Sequence, residues 1–248
     1  MPFVAIHALA DRLQGLIQQC RAARSRTGYF AALYRHITLD IAVGLEAGEF
    51  ARPESLERLA VAFADRYLAA VTASQAGSSA SRCWRLAFSR GERDDLLIVQ
   101  HLILAMNAHI NFDLGVATAE TAGNRQHLQA MKADFDKLND LLATRVDEIE
   151  GRIAGLSPRI GFLDELLGDE DETVAGFSIR RARADAWSVA NALVELDGLP
   201  KEFVLTARDA LVTGFGQALV SPLVNIALRP ILDAESSSVV DVIDALAA

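Results

Sequence analysis

Apolar residues recur along this chain at spacings of three and four, the repeat that gathers side chains on one face of an α-helix. The pattern predicts a first helix from about Phe3 to Arg24. A second follows Thr27, a residue suited to N-capping, and carries Phe30, Leu33, Tyr34, Ile37, Ile41 and Leu45 on one face before ending near Gly48. A third opens at Pro53, whose fixed φ and missing N–H suit a first turn, and carries Leu56, Leu59, Ala60, Phe63, Tyr67 and Leu68. A Gly/Ser-rich loop over 75–81 and a short helix over 83–88 lead to a long apolar helix of about 94–120, with Asp94 as its candidate N-cap.

Gly123 and Asn124 separate that helix from a charged amphipathic one over about 126–153, with Phe135, Leu138, Leu142, Val146, Ile149 and Ile153 as its stripe. Ser157-Pro158 breaks the pattern, and 168–172 reads as an acidic loop. Further helices are predicted over about 174–196 and 201–212, and a last short one within 236–248. The apolar stretch 211–232 contains Gly214, Gly216, Gln217, Pro222, Asn225, Arg229 and Pro230, which suit a lipid-facing span poorly, so it reads as a buried core helix kinked at Pro222. No alternating strand pattern stands out. The expected fold is all-α: a single globular multi-helix bundle over 1–248 around a buried central helix, with 1–24 and 236–248 peripheral.

Composition agrees with the pattern. Half of the 248 residues are apolar, aromatic residues are few, and Ala and Leu, which lose little on entering a helix, dominate. The net charge of −9 opposes phosphate backbones, so nucleic acid is not an expected partner. The short basic run Arg180, Arg181, Arg183 reads as a solvated face or ion pairs. Two cysteines, Cys20 and Cys83, give no disulfide framework and read as reduced thiols, Cys83 in the core beside Trp84. With no basic segment before an apolar run at the N-terminus, the expected location is the cytoplasm, and no transmembrane segment is expected.

The chemistry concentrates in 94–120. The apolar residues there leave no polar face, yet Gln100, His101, Asn107, His109, Asn111 and Asp113 lie among them. A buried polar group without a partner costs about 1–3 kcal/mol, so each of these needs one. At about 100° per residue, with His101 at zero, His109 falls near 80°, Asp113 near 120° and Glu120 near 100°. Gln100, Asn107 and Asn111 fall together near 240–280° on that same ideal helix. Two polar stripes result, one ionisable and one of amides. The amides read as structural, bridging backbone groups and fixing the register of neighbours.

His109 and Asp113, four apart, are neighbours on a helix, so the carboxylate can orient the imidazole as a general base requires. The same spacing supplies two ligands of a divalent metal such as zinc, iron or manganese, with His101 as a third. His36 repeats the spacing with Asp40 on the second helix. Asp65, Arg66 and Tyr67 could complete a site from the third helix, or Asp65 and Arg66 could form a plain salt bridge. Arg183, Asp185 and Trp187 form a similar later cluster, read as structural, and His7 and His127 look incidental. No phosphate loop, nucleophile elbow, HExxH, CxxC or EF-hand motif is present.

Phe30-x3-Tyr34, Phe63-Ala64-Asp65-Arg66-Tyr67-Leu68, Trp84-x2-Ala87-Phe88, Gln100-His101-Leu102, the run Met106 to Leu114 and Ala182-Arg183-x3-Trp187 together resemble the bacterial family named domain of unknown function 5995. The resemblance implies a helical protein and carries no settled activity. More distantly, His-x3-Asp pairs on core helices are similar to those of zinc-dependent phospholipase C. That group uses more His and Asp ligands and an N-terminal Trp, so the five His of this chain limit any site to one or two metals.

Two functions follow from these readings. In the first, the chain is an enzyme acting on a small, mostly apolar molecule. Its reaction is metal-assisted hydrolysis, or lyase, cyclase or isomerase chemistry by a His109–Asp113 pair without metal. In the second it is a helical binding or scaffold protein whose buried His, Asn and Asp only specify packing.

Overall fold

Every regular element among the described residues is a helix. The computed structural model describes residues 3–78, 80–138, 156, 179–235 and 238–248. Helices α1 (Val4–Ala23), α2 (Thr27–Glu46), α3 (Pro53–Gln75) and α4 (Arg82–Gly91) precede the central helix α5 (Ile98–Ala122). Then come α6, helical over 125–138, α7 (Ile179–Leu193), α8 (Gly198–Leu219), α9 (Pro222–Leu232) and α10 (Val239–Ala247). The expectations for 139–155 and for 157–178, the Ser157-Pro158 break and the acidic loop included, lie outside the described residues.

Helix α5 is apolar on all sides and is packed on all sides, by α2, α3, α4, α7 and α8. It is long and apolar enough to cross a membrane, but Leu102, Leu104, Ala108, Leu114, Val116 and Ala117 are buried within the bundle. Helix α7 crosses it closely at Gly115, where a Cβ would lie 2.8 Å from the Ala186 carbonyl oxygen. Close backbone approach of this kind needs glycine.

Three expectations are corrected by the packing. First, α1 and α10 are not peripheral: Leu9, Leu13 and Ile17 of α1 and Val242, Ile243 and Leu246 of α10 are buried in the same core as Trp84 and Leu102. Each carries an apolar stripe that α2 covers. Second, 211–232 bends at Pro222 as expected but is not a buried core helix. Helices α8 and α9 meet at 48° after Leu219 and lie on the outside, burying Val212, Leu219, Leu228 and Ile231 while Leu211, Leu223 and Ile226 stay exposed. Its apolar content is spread round the helices, so one face meets the core and the other does not.

The third concerns helix starts. Thr27 lies inside α2 rather than capping it, and Asp94 lies in a bend before α5 begins at Ile98. At α1, α4 and α5, carboxylates from distant parts of the chain take N-terminal N–H groups. Glu57 accepts from Ala5 and Ile6, Asp209 from Arg82 and Cys83, and Glu235 from Ile98. Asp134 likewise accepts from Ala51 and Arg52 ahead of α3. These donors have no partner within their own helix, and the positive end of the helix dipole favours a carboxylate.

Candidate functional site

The middle of α5, Asn107–Leu114, is a π-helix. Its hydrogen bonds run i→i+5, so each turn takes in one more residue than an α-turn, a geometry frequent at functional sites. Angles projected at 100° per residue therefore fail beyond Met106. The wide turns hold Asn107, His109, Asn111 and Asp113.

Asp113 is buried and doubly bound. Arg66 Nε of α3 donates to Oδ1 at 2.9 Å, and Trp84 Nε1 of α4 donates to Oδ2 at 2.7 Å. The carboxylate thus joins α3, α4 and α5 through hydrogen bonds strengthened by its charge. Arg66 also approaches Glu120 Oε2 at 3.7 Å, and Lys201 Nζ approaches Glu120 Oε1 at 3.8 Å, so the line of charge continues outward to the surface.

His109 is 1 % exposed and sits beside this carboxylate, Nδ1 lying 3.5 Å from Asp113 Oδ2. At that distance the contact is a long ion-pair contact rather than a full hydrogen bond, and Nε2 has no hydrogen-bond partner. Aromatic rings surround it: Phe63 stacks flat at 3.6 Å, Tyr34 meets it edge-on at 4.8 Å, and Phe30, Tyr67 and Trp84 close the sides. Burial holds its pKa below the ordinary histidine value although Asp113 pulls the other way. Phe63 is itself only half-buried, so a single ring separates His109 from solvent on that side.

His101 belongs elsewhere. It packs edge-on against Tyr29 at 5.8 Å and lines a cavity of about 280 Å³ near the start of α5. Its pKa is pulled down to about 4 by burial, with Arg26 adding to the effect. Eight residues of helix rise about 12 Å, so His101 does not join the His109–Asp113 pair. The three-ligand metal set of His101, His109 and Asp113 is therefore not assembled. Among the described residues no group of three His, Cys, Asp or Glu is placed to hold a metal ion.

The supporting residues divide. Arg66 reaches the pair, and Tyr67 packs beside it, edge-on to Phe30 at 5.1 Å and with its hydroxyl toward the Thr27 carbonyl at 3.5 Å. Asp65 and Arg66 do not pair with each other, because successive helical side chains diverge. Asp65 turns outward and accepts from Arg12 at 2.6 Å. His36 is half-buried on α2, outside the ring of side chains around His109. Arg183 is not on a solvated face: it is buried over the Phe135 ring and donates to the Phe135 carbonyl at 3.1 Å, while Asp185 pairs with Arg208.

The amides do what was expected of them. Gln100 Nε2 donates to the Leu219 carbonyl at 2.9 Å and to Asn225 Oδ1 at 3.1 Å, while its Oε1 accepts from Leu97 N. Asn107 Nδ2 donates to the Val212 carbonyl and Asn111 Nδ2 to Asn107 Oδ1, both at 2.9 Å. Arg208 Nε donates to the Asn111 carbonyl at 2.6 Å. These bonds lock α5 against α8 and α9.

Four residues around His109 and Asp113 were not among the expected site residues: Trp84, Phe63, Phe30 and Tyr34. A buried indole needs an acceptor, which marks Trp84 as a partner for some buried carboxylate without saying which. Phe63 carries no signal beyond its place in an apolar stripe.

Fold and site define an all-helical protein whose central helix opens into a π-helix around a buried His–Asp pair. The chain belongs to the Family of unknown function (DUF5995), whose model matches residues 6–222. No curated protein and no solved structure matches it.

Proposed function

We propose that this protein is an enzyme acting on a small, mostly apolar molecule, with His109 as general base and Asp113 as the carboxylate that orients it. The observation that carries this reading is the state of His109: sealed in aromatic rings with Nδ1 toward the Asp113 carboxylate at 3.5 Å and Nε2 without a hydrogen-bond partner. An unpaired buried polar atom costs about 1–3 kcal/mol, and phenylalanine would fill the same aromatic cage without it. The π-helix adds support. Burial favours the uncharged ring, the form that accepts a proton, and Asp113 then stabilises the imidazolium. Phe63 is the door. Rotation of its ring uncovers His109, and an apolar substrate takes its place against Tyr34 and Phe30.

The residues present fit the metal-assisted version poorly. Both Asp113 oxygens already accept hydrogen bonds, and His101 lies two turns away along the helix. Isomerisation, elimination or cyclisation by proton transfer is the version favoured. The competing scaffold reading draws on one observation, that Asp113 ties three helices together as a structural hub would.

The test is a fragment screen on the full chain, read by the imidazole ¹⁵N signals, with hits then assayed for turnover. Ligands should shift the His109 signals, bind more tightly to Phe63→Ala, and turn over in wild type but not in His109→Phe. Full turnover by His109→Asn would remove the base role. A Phe63→Ala protein in which no fragment touches His109 would leave the scaffold reading in its place.

A further inference from the structure

We infer that the outer face of α8 and α9 is a dimer interface, covered by the same face of a second copy of this chain. Leu199, Phe203 and Leu211 of α8 and Leu223 and Ile226 of α9 are 69–81 % exposed. Phe203, Ala207, Ala210, Gly214 and Ala218 follow one another at spacings of three and four, so they share one side of α8. The other side, with Val212, Gly216 and Leu219 buried, meets α4 and α5. The outer face shares no residue with the His109–Asp113 pair, so it stands or falls apart from the enzymatic reading.

Every exposed position from Phe203 to Ala227 is uncharged, in a chain of which 23 % is charged. The two charged residues within that span are taken up inside the chain. Arg208 pairs with Asp185 and donates to the Asn111 carbonyl, and Asp209 accepts from the N–H groups of Arg82 and Cys83. Helix α8 has 22 residues and α9 has 11. At 1.5 Å per residue and about 10–12 Å of width, they present a bent strip about 50 Å long and about 500–600 Å² in area. Two such strips together cover about 1,000 Å², the size at which a specific interface begins.

Charge and shape select the occupant. A helix lying on a membrane holds anionic headgroups with Lys and Arg beside its apolar face, and here Arg208 is committed inward in a chain of net charge −9. A second copy fits by shape. Paired antiparallel about a two-fold axis near Ala210, Phe203 of each copy lies over the Gly214–Ala218 stretch of the other, a large ring against small residues. Glycine weakens a helix interior, and nothing among the described residues requires one here: a Cβ on Gly214 would meet no atom within 4 Å. The space above Gly214 is open to the partner's helix.

The test is sedimentation equilibrium on the full chain across the micromolar range. It should show a monomer–dimer equilibrium that tightens with added salt, since two acidic chains repel and the shared face holds no ion pair. Phe203→Glu, at an exposed position, should leave the fold intact and raise the Kd about a hundredfold. Gly214→Leu makes the face more apolar yet should still raise the Kd about tenfold, because its bulk holds the two helices apart. Val43→Glu, at an exposed apolar residue of α2, should change nothing. A chain that stays monomeric, a dimer loosened by salt or unmoved by Phe203→Glu, or one tightened by Gly214→Leu would overturn the proposal. A monomeric chain retained on phosphatidylcholine vesicles, and released from them by Phe203→Glu, would give the face to a lipid surface instead.

Discussion

Gln100 and Asn107 on one side of α5, and His101 and His109 on the other, are all buried polar side chains on one apolar helix. Both amides are fully engaged, reaching carbonyls of α8. Neither imidazole reaches α8, and His109 has only the 3.5 Å contact to Asp113. The difference lies in what faces them. Helix α8 comes close enough for a short amide to reach its backbone: a Cβ on Gly216 would lie 3.3 Å from Asn107 Nδ2. The histidines pack instead against aromatic rings, Tyr29 for one and Phe63 for the other. Burial alone therefore does not say which polar groups of α5 hold the bundle together; their partners do.

The comparison can be broken at Asp113, a buried ionisable residue of α5 whose two oxygens both accept hydrogen bonds. Asp113→Ala leaves the Arg66 guanidinium and the Trp84 N–H without their acceptor, and should cost about 3–5 kcal/mol in urea unfolding. A loss below 1 kcal/mol, on that same scale, would show that the carboxylate is no hub.

Acid titration comes next. The folded-state pKa of His101 is about 4 and that of His109 is also depressed, so the unfolded chain binds more protons below its own histidine pKa. Stability should be fully present above about pH 6.5 and fall as the pH drops toward 4, with His101 alone accounting for something on the order of 3 kcal/mol. His101→Gln should flatten that part of the curve, and a stability that did not change between pH 7 and 5 would contradict the burial of both rings.

On the amide side, Asn107→Ala orphans the Val212 carbonyl and the Asn111 amide, and should cost about 1–3 kcal/mol. Smallest, and opposite in sign, is His109→Phe, which removes unpaired polar atoms from an aromatic cage and should raise stability by about 1 kcal/mol. A clear loss would mean that His109 has a structural partner, and the contrast between the two faces of α5 would disappear.

Much of the helical layout was legible because the apolar spacing is a property of the chain alone. Pro53 opens α3 as its fixed φ requires, and Gly123 ends α5 with φ 68°. That 98–122 buries both amides and ionisable groups was legible too, but the angles between them were not, since the π-helix changes the repeat beyond Met106. The π-helix was not, and the groups that meet it, Ala186 of α7 beside Gly115 and Arg208 on the Asn111 carbonyl, come from far along the chain. Nor was the partner of Asp113, since Arg66 and Trp84 are 47 and 29 residues away in the chain.

By itself, then, the sequence determined which segments are helical and that one helix, loaded with polar residues, is apolar enough to lie at the centre. Periodicity and propensity are local, and they suffice for that. Only the tertiary structure decided which carboxylate caps which helix, which apolar face of α8 and α9 is left outside, and which polar groups of α5 find partners. Those outcomes depend on side chains meeting across the bundle at hydrogen-bond distance, and a one-dimensional spacing holds no information about a distance of 3 Å between helices.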